Sequence, residues 1–173
     1  MAIVQCGYLI TAILDNFAFP FIPTMKLKEQ VLQASLLQQQ ESIKRLKETV
    51  QQVQESANED TSGSSTDDSE SMREQLHADL AMYSRQLDQA NAAYAMLKLI
   101  DPNQVNSTVK HGALVMTDKT NVLIGVSVGK VIVDGKTFFT ISTDSPLYQA
   151  MDGKKKGETF DFRDQKQTVQ DIM

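Results

Sequence analysis

Between Leu32 and Ala57 the chain repeats one pattern: Leu32, Leu36, Gln39, Ile43, Leu46, Val50, Val53 and Ala57 stand at steps of 4, 3, 4, 3, 4, 3, 4. Steps alternating between four and three are those of a heptad seam, with Gln39 as its one polar member. A second run follows at Met72, Leu76, Leu80, Tyr83, Leu87, Ala90, Tyr94 and Leu97, at steps of 4, 4, 3, 4, 3, 4, 3. Two seams of matched length can bury each other. If the chain folds back on itself, Val53 lies opposite Leu76, Leu46 opposite Tyr83, Ile43 opposite Leu87 and Leu32 opposite Leu97, so the register closes at both ends. The pattern predicts an antiparallel coiled-coil hairpin over residues 25–101. At 1.5 Å per residue, the helix from Met25 to Ala57 projects roughly 50 Å.

Asp101-Pro102-Asn103 ends the helical period, because proline has no amide to donate and disfavours the α region in the residue before it. Beyond it the runs are extended: Ala113–Met116, Val122–Val128, Lys130–Val133, Thr137–Ile141, Thr159–Phe162 and Thr168–Ile172. Asp134-Gly135 between two such runs marks a tight hairpin turn, which needs positive φ. Ser145-Pro146, followed by Leu147, Ala150 and Met151, reads as a short helix with a serine cap and a proline in its first turn. Residues 102–173 are therefore expected to form a small antiparallel β domain carrying one helix. The fold class is α+β.

Charge bears on the hairpin's tip. Glu55–Glu70 holds six carboxylates, and no Lys or Arg occurs between Lys47 and Arg73. Residues 25–101 carry 13 acids against 8 bases, whereas residues 102–173 carry 8 against 9, so the acidity of a chain with net charge -5 belongs to the hairpin. That distribution argues against direct binding of duplex DNA, which needs a basic stripe. A basic partner or a metal ion suits the tip better. Cys6 is the only cysteine, so neither an internal disulfide nor a Cys-based zinc site is available, and the expected compartment is reducing and cytoplasmic.

Residues 1–24 form an apolar stretch that matches neither a helix stripe nor a secretory signal, and Asp15, Asn16, Pro20 and Pro23 interrupt any membrane span. The reading adopted is that Met25 is the natural start, with a weak membrane anchor or uncleaved export signal as the alternative. His77 and His111 lack paired ligands and read as surface residues, Gln39 as a register-setting residue, and Ser145 as a cap rather than a nucleophile. An intramolecular hairpin satisfies both seams, so a monomer is expected.

The segment Ser145-Pro-Leu-Tyr-Gln-Ala-Met-Asp-Gly-Lys-Lys-Lys-Gly-Glu resembles one in bacterial Gre-type transcription elongation factors, roughly Ser-Pro-Leu-Gly-x-Ala-Leu-Leu-Gly-Lys-x-x-Gly-Asp. Ser145, Pro146, Leu147, Ala150, Gly153, Lys154 and Gly157 fall into register with it, and Glu158 stands where an acid is usual. The order of parts agrees, since that family joins an N-terminal antiparallel coiled coil with an acidic tip to an FKBP-like β domain. The resemblance implies RNA polymerase as partner, with the hairpin inserted into the secondary channel and only indirect contact with nascent RNA. Tip carboxylates would assist the polymerase's own cleavage of backtracked RNA by sharing a Mg²⁺ ion, so the protein would be an accessory factor rather than an enzyme. The usual tip run, Gly-Asp-Leu-Ser-Glu-Asn-Ala-Glu-Tyr, is absent. Asp67-Asp68-Ser69-Glu70 keeps an Asp-x-x-Glu step, which carries the role over to Asp67 and Glu70 first, as shared metal ligands, then to Asp68, with Glu59 and Asp60 as secondary candidates. Ser145, Pro146, Leu147, Lys154 and Lys155 are the candidate polymerase contacts.

Three other functions fit parts of this reading. A channel-occupying regulator would use the same hairpin without stimulating cleavage. A peptidyl-prolyl isomerase would need an aromatic-lined pocket, drawn here from Phe138, Phe139, Phe160 and Phe162. A coiled-coil chaperone would need apolar surface at a tip that is polar.

Overall fold

The computed structural model describes residues 26–59 and 67–173, with side chains described outside residues 59–69. Residues 1–24, and the two readings of their role, lie outside the described residues. Helix α1 runs Leu27–Glu59 and α2 runs Asp67–Lys98. They are followed by β1 (Leu114–Thr117), β2 (Asn121–Gly125), β3 (Gly129–Val133), β4 (Lys136–Ser142), a one-and-a-half-turn α3 (Pro146–Met151), β5 (Thr159–Phe162) and β6 (Gln165–Ile172). The fold is α+β, a long helical hairpin on a six-stranded sheet.

The strands lie in the order β3-β4-β2-β1-β6-β5. The sheet departs from the antiparallel expectation at one place, since β2 pairs parallel to β4, with Val122 beside Phe139 and Ile124 beside Ile141. Short links and a tight turn read locally as successive hairpins, but β3 lies two strands from β2 and β4 fills the gap. Two strand spacings are about 9.6 Å, which the chain from Gly125 to Gly129 can span at about 3.3 Å or more per residue. The link is closed by Thr140, whose Oγ1 accepts from the Val128 amide at 3.0 Å and donates to the Gly129 carbonyl at 3.2 Å. Asp134 and Gly135 take φ of 49° and 72°, so the β3–β4 turn has the mirror-image geometry that matches strand twist. The β5–β6 turn does the same with Arg163 and Asp164, at φ of 51° and 58°, although neither is glycine.

Alternation along the strands creates two cores. Leu114, Leu123, Val131 and Phe138 face the hairpin's base and pack with Val31, Leu32, Leu97 and Ile100. Val115, Val122, Ile124 and Val169 face the other way and pack with Val109, Met151 and Phe160. The root of the hairpin thus shares a core with one face of the sheet, while α3 covers the opposite face. Gln38 adds a polar tie, donating from Nε2 to the Val128 carbonyl at 3.0 Å.

Candidate functional site

The hairpin determines where its tip can be. Leu32, Gln39 and Ile43 are buried in α1, and Leu36, Leu46, Val50, Val53 and Ala57 are half-buried, so the first seam is continuous to the far end. In α2, Leu76, Leu80, Tyr83, Leu87 and Tyr94 are half-buried, and Ala90 and Leu97 are buried. Gln39 Nε2 donates to the Ala90 carbonyl at 2.9 Å, and Gln40 Nε2 to the Tyr94 hydroxyl at 2.7 Å. Met72 is the exception, with 59% of its surface exposed. Arg73 takes the half-buried position instead, which restores the three-residue step into Leu76 that a regular heptad requires. Hydrophobicity drew the sequence reading to Met72, whereas helical phase selects its neighbour.

At the far end of the hairpin α1 finishes at Glu59 and α2 starts at Asp67. Asp67, Asp68 and Glu70 fall in the first turn of α2. Glu70 is exposed. Asp60 lies outside the described residues, as do the side chains of Glu59, Asp67 and Asp68. Among the described residues no group of three or more His, Cys, Asp or Glu side chains is placed to hold a metal.

The segment that carries the family resemblance is built as a cap, a short helix and a pinned loop. Ser145, with φ of -70° and ψ of 141°, accepts from the Tyr148 amide at 3.2 Å through Oγ, and Pro146 begins the helix where no amide partner is needed. Pro146 is exposed, whereas Leu147 packs partly against the second core. The Tyr148 hydroxyl donates to Asp152 Oδ1 at 2.6 Å. That bond, aided by burial, pushes the phenol's pKa up to about 12. The Lys154 carbonyl accepts from the Val109 amide at 2.8 Å, and the Lys155 amide donates to Glu158 Oε2 at 2.8 Å. Lys156 Nζ meets Asp171 Oδ1 at 2.8 Å and holds that carboxyl below its ordinary range. The loop is thus fixed by its backbone, with Lys155 exposed and Lys154 half-buried.

The candidate residues therefore form two separate groups. Asp67, Asp68 and Glu70 sit at the tip; Ser145, Pro146, Leu147, Lys154 and Lys155 sit against the sheet face opposite the hairpin's base. His77 and His111 are exposed. The aromatic residues proposed for an isomerase pocket are divided, with Phe138 in the core under the helices and Phe160 in the core under α3. Sequence reading missed Lys28, which is buried at the root of α1. It lies one helical turn before Leu32, although the regular heptad step would place Glu29 on the seam. Among the described residues no helix is long and apolar enough to cross a membrane.

No family model matches the chain, and no curated protein matches it. A solved structure of the transcription factor Gfh1 is similar to it, at 18% sequence identity and a TM-score of 0.34, over 80% of this chain and 93% of that one.

Proposed function

We propose that this protein is an accessory transcription factor of the Gre type, which binds RNA polymerase and reaches the active site through the secondary channel with its hairpin. The observation that carries this reading is the hairpin itself. A 33-residue helix α1 extends about 50 Å and is paired with α2 in a fixed register, so the acids that flank its turn are held far from the sheet. A stiff, narrow arm with carboxylates at its end suits a deep channel leading to a metal centre.

At the tip, Asp67 and Glu70 would supply oxygen ligands from one face of α2, with Asp68, Glu59 and Asp60 beside them. Hard oxygen donors of this kind fit Mg²⁺, which is commonly held by one or two carboxylates together with phosphate oxygens and water. A Mg²⁺ shared with the polymerase would stabilise the attacking and leaving oxygens of an in-line displacement on backtracked RNA. The tip residues would position that ion and orient the attacking water. The sheet domain would hold the factor on the polymerase through Ser145, Pro146, Leu147, Lys154 and Lys155. Pro146 and Lys155 are the exposed members of that group.

The test is RNA cleavage in backtracked elongation complexes, with polymerase binding measured in parallel, comparing this protein with an Asp67→Ala, Glu70→Ala variant. Faster cleavage that the variant loses while still binding supports the reading. Binding without faster cleavage by either protein makes it a channel-occupying regulator, a result that the missing Gre-type tip run would explain. No binding overturns the polymerase reading and leaves the isomerase and chaperone activities to be assayed.

A further inference from the structure

Lys28 lies in the first turn of α1 and is 2% exposed, one of the largest fully buried side chains among the described residues. Its Nζ donates to the Gln104 carbonyl at 2.8 Å. An ammonium carries three N–H donors, so one carbonyl leaves most of its capacity unused. The ion pairs found among the described residues are Lys44–Glu48 and Lys156–Asp171, and neither involves Lys28. Burying a cation without a carboxylate partner is strongly unfavourable, and an apolar side chain of similar volume would serve a purely packing role better.

Lys28 and Gln104, whose carbonyl accepts from the ammonium, both line an open cavity of about 280 Å³ between the root of α1, the loop after α2 and the end of β6. The remaining walls include Pro102, Val105, Ile172 and Met173, with Lys26 as a second cation. That volume falls just below the usual range for small-molecule sites of about 300–1,000 Å³, with a wall that is mostly apolar as in such sites. Two cations, Lys26 and Lys28, line the cavity, and Asp101 and Lys110 act on Lys28 in opposite directions. Burial and Lys110 push the Lys28 pKa down, and Asp101 partly offsets them.

We propose that this cavity binds a small organic anion, its apolar body against Pro102, Val105, Ile172 and Met173 and its carboxylate or phosphate on the Lys28 ammonium. The anion would satisfy the unused N–H donors and neutralise the buried charge. The site lies at the hairpin's root, remote from the acidic tip. It requires no polymerase, so its failure and the failure of the transcription-factor reading are distinguishable.

The test is an amide NMR titration of the full chain with hexanoate, phenyl phosphate, inorganic phosphate and hexanol. Hexanoate or phenyl phosphate should shift the amides of Gln104, Val105 and Ile172 saturably, binding at least about tenfold more tightly than hexanol. Which of the two binds better assigns the head group, and inorganic phosphate measures the head group alone. Lys28→Met should abolish the preference for the anion over hexanol. Absence of saturable shifts with both organic anions, equal binding of hexanol, or an unchanged preference in Lys28→Met would each overturn the proposal. If that variant does not fold, the Lys28 Cε resonance of the unmodified protein decides: its titration should move to higher pH with the tighter anion, and an unmoved titration overturns the proposal.

Discussion

Gln39 Nε2 donates to the backbone carbonyl of Ala90 at 2.9 Å, across the interface between α1 and α2 and 51 residues apart in the chain. These residues lie opposite each other in the register that sets Leu32 against Leu97 and Val53 against Leu76. The one polar member of the first seam is thus bonded to the partner helix at the place where the register can be read.

This bond predicts different outcomes for two substitutions at one position. Gln39→Ala removes the bond and leaves a gap in the seam, and should destabilise the hairpin by about 1–3 kcal/mol. Gln39→Leu restores an apolar heptad position and should fall within about 1 kcal/mol of the parent. Urea unfolding of both variants checks this. Equal losses in the two variants would contradict this, because they would assign the whole effect to the bond and none to the volume.

The β5–β6 turn is built on Arg163 and Asp164 in a left-handed conformation that side chains with a Cβ adopt reluctantly. The replacement Arg163→Asn with Asp164→Gly supplies the residues that such a turn prefers, and should stabilise the protein by about 1 kcal/mol. Arg163 also lies over the Phe162 ring, with Cζ 5.2 Å from its centroid, which sets a limit on the gain. A lower melting temperature in the double variant would mean that the ring contact outweighs the backbone strain.

Tyr148 gives a prediction at alkaline pH. Its bond to Asp152 requires the neutral phenol, so the pKa is raised from 10.0 to about 12. The sign follows from linkage: the bond's stabilisation is fully present below pH 10 and is lost as pH rises through about 12. Tyr148 should therefore ionise after a normal tyrosine in an ultraviolet pH titration, and Asp152→Asn should return it towards its ordinary value. Titration at the ordinary value in the unmodified protein would show that the bond does not persist in solution.

Much of the architecture was legible from period alone. The heptad steps located both helices and their register, and the extended runs located all six strands, because burial against a single partner surface enforces a strict repeat. Pairing between strands was less legible. The parallel contact of Val122 with Phe139 depends on where β3 is placed after a three-residue link, and no local residue specifies that. Met72 was misassigned because a hydrophobic residue stood one position from the place that helical phase required. Lys28 was missed because a charged residue before the first apolar seam position reads as solvent-exposed, although its methylene stem can be buried against apolar neighbours. The acidic tip was visible as composition, but the start of α2 at Asp67 was not, because Asp67–Glu70 supplies no apolar position to the seam.

The proposed function has the tip entering RNA polymerase and approaching its metal centre. The most direct measurement is photocrosslinking from Ser71, an exposed position beside Glu70, replaced by a photoreactive phenylalanine derivative and bound to RNA polymerase. The account predicts crosslinks to the subunit that carries the catalytic Mg²⁺, mapped to segments lining the secondary channel. Crosslinks confined to the outer surface of the polymerase, formed while the two proteins are demonstrably bound, would contradict it.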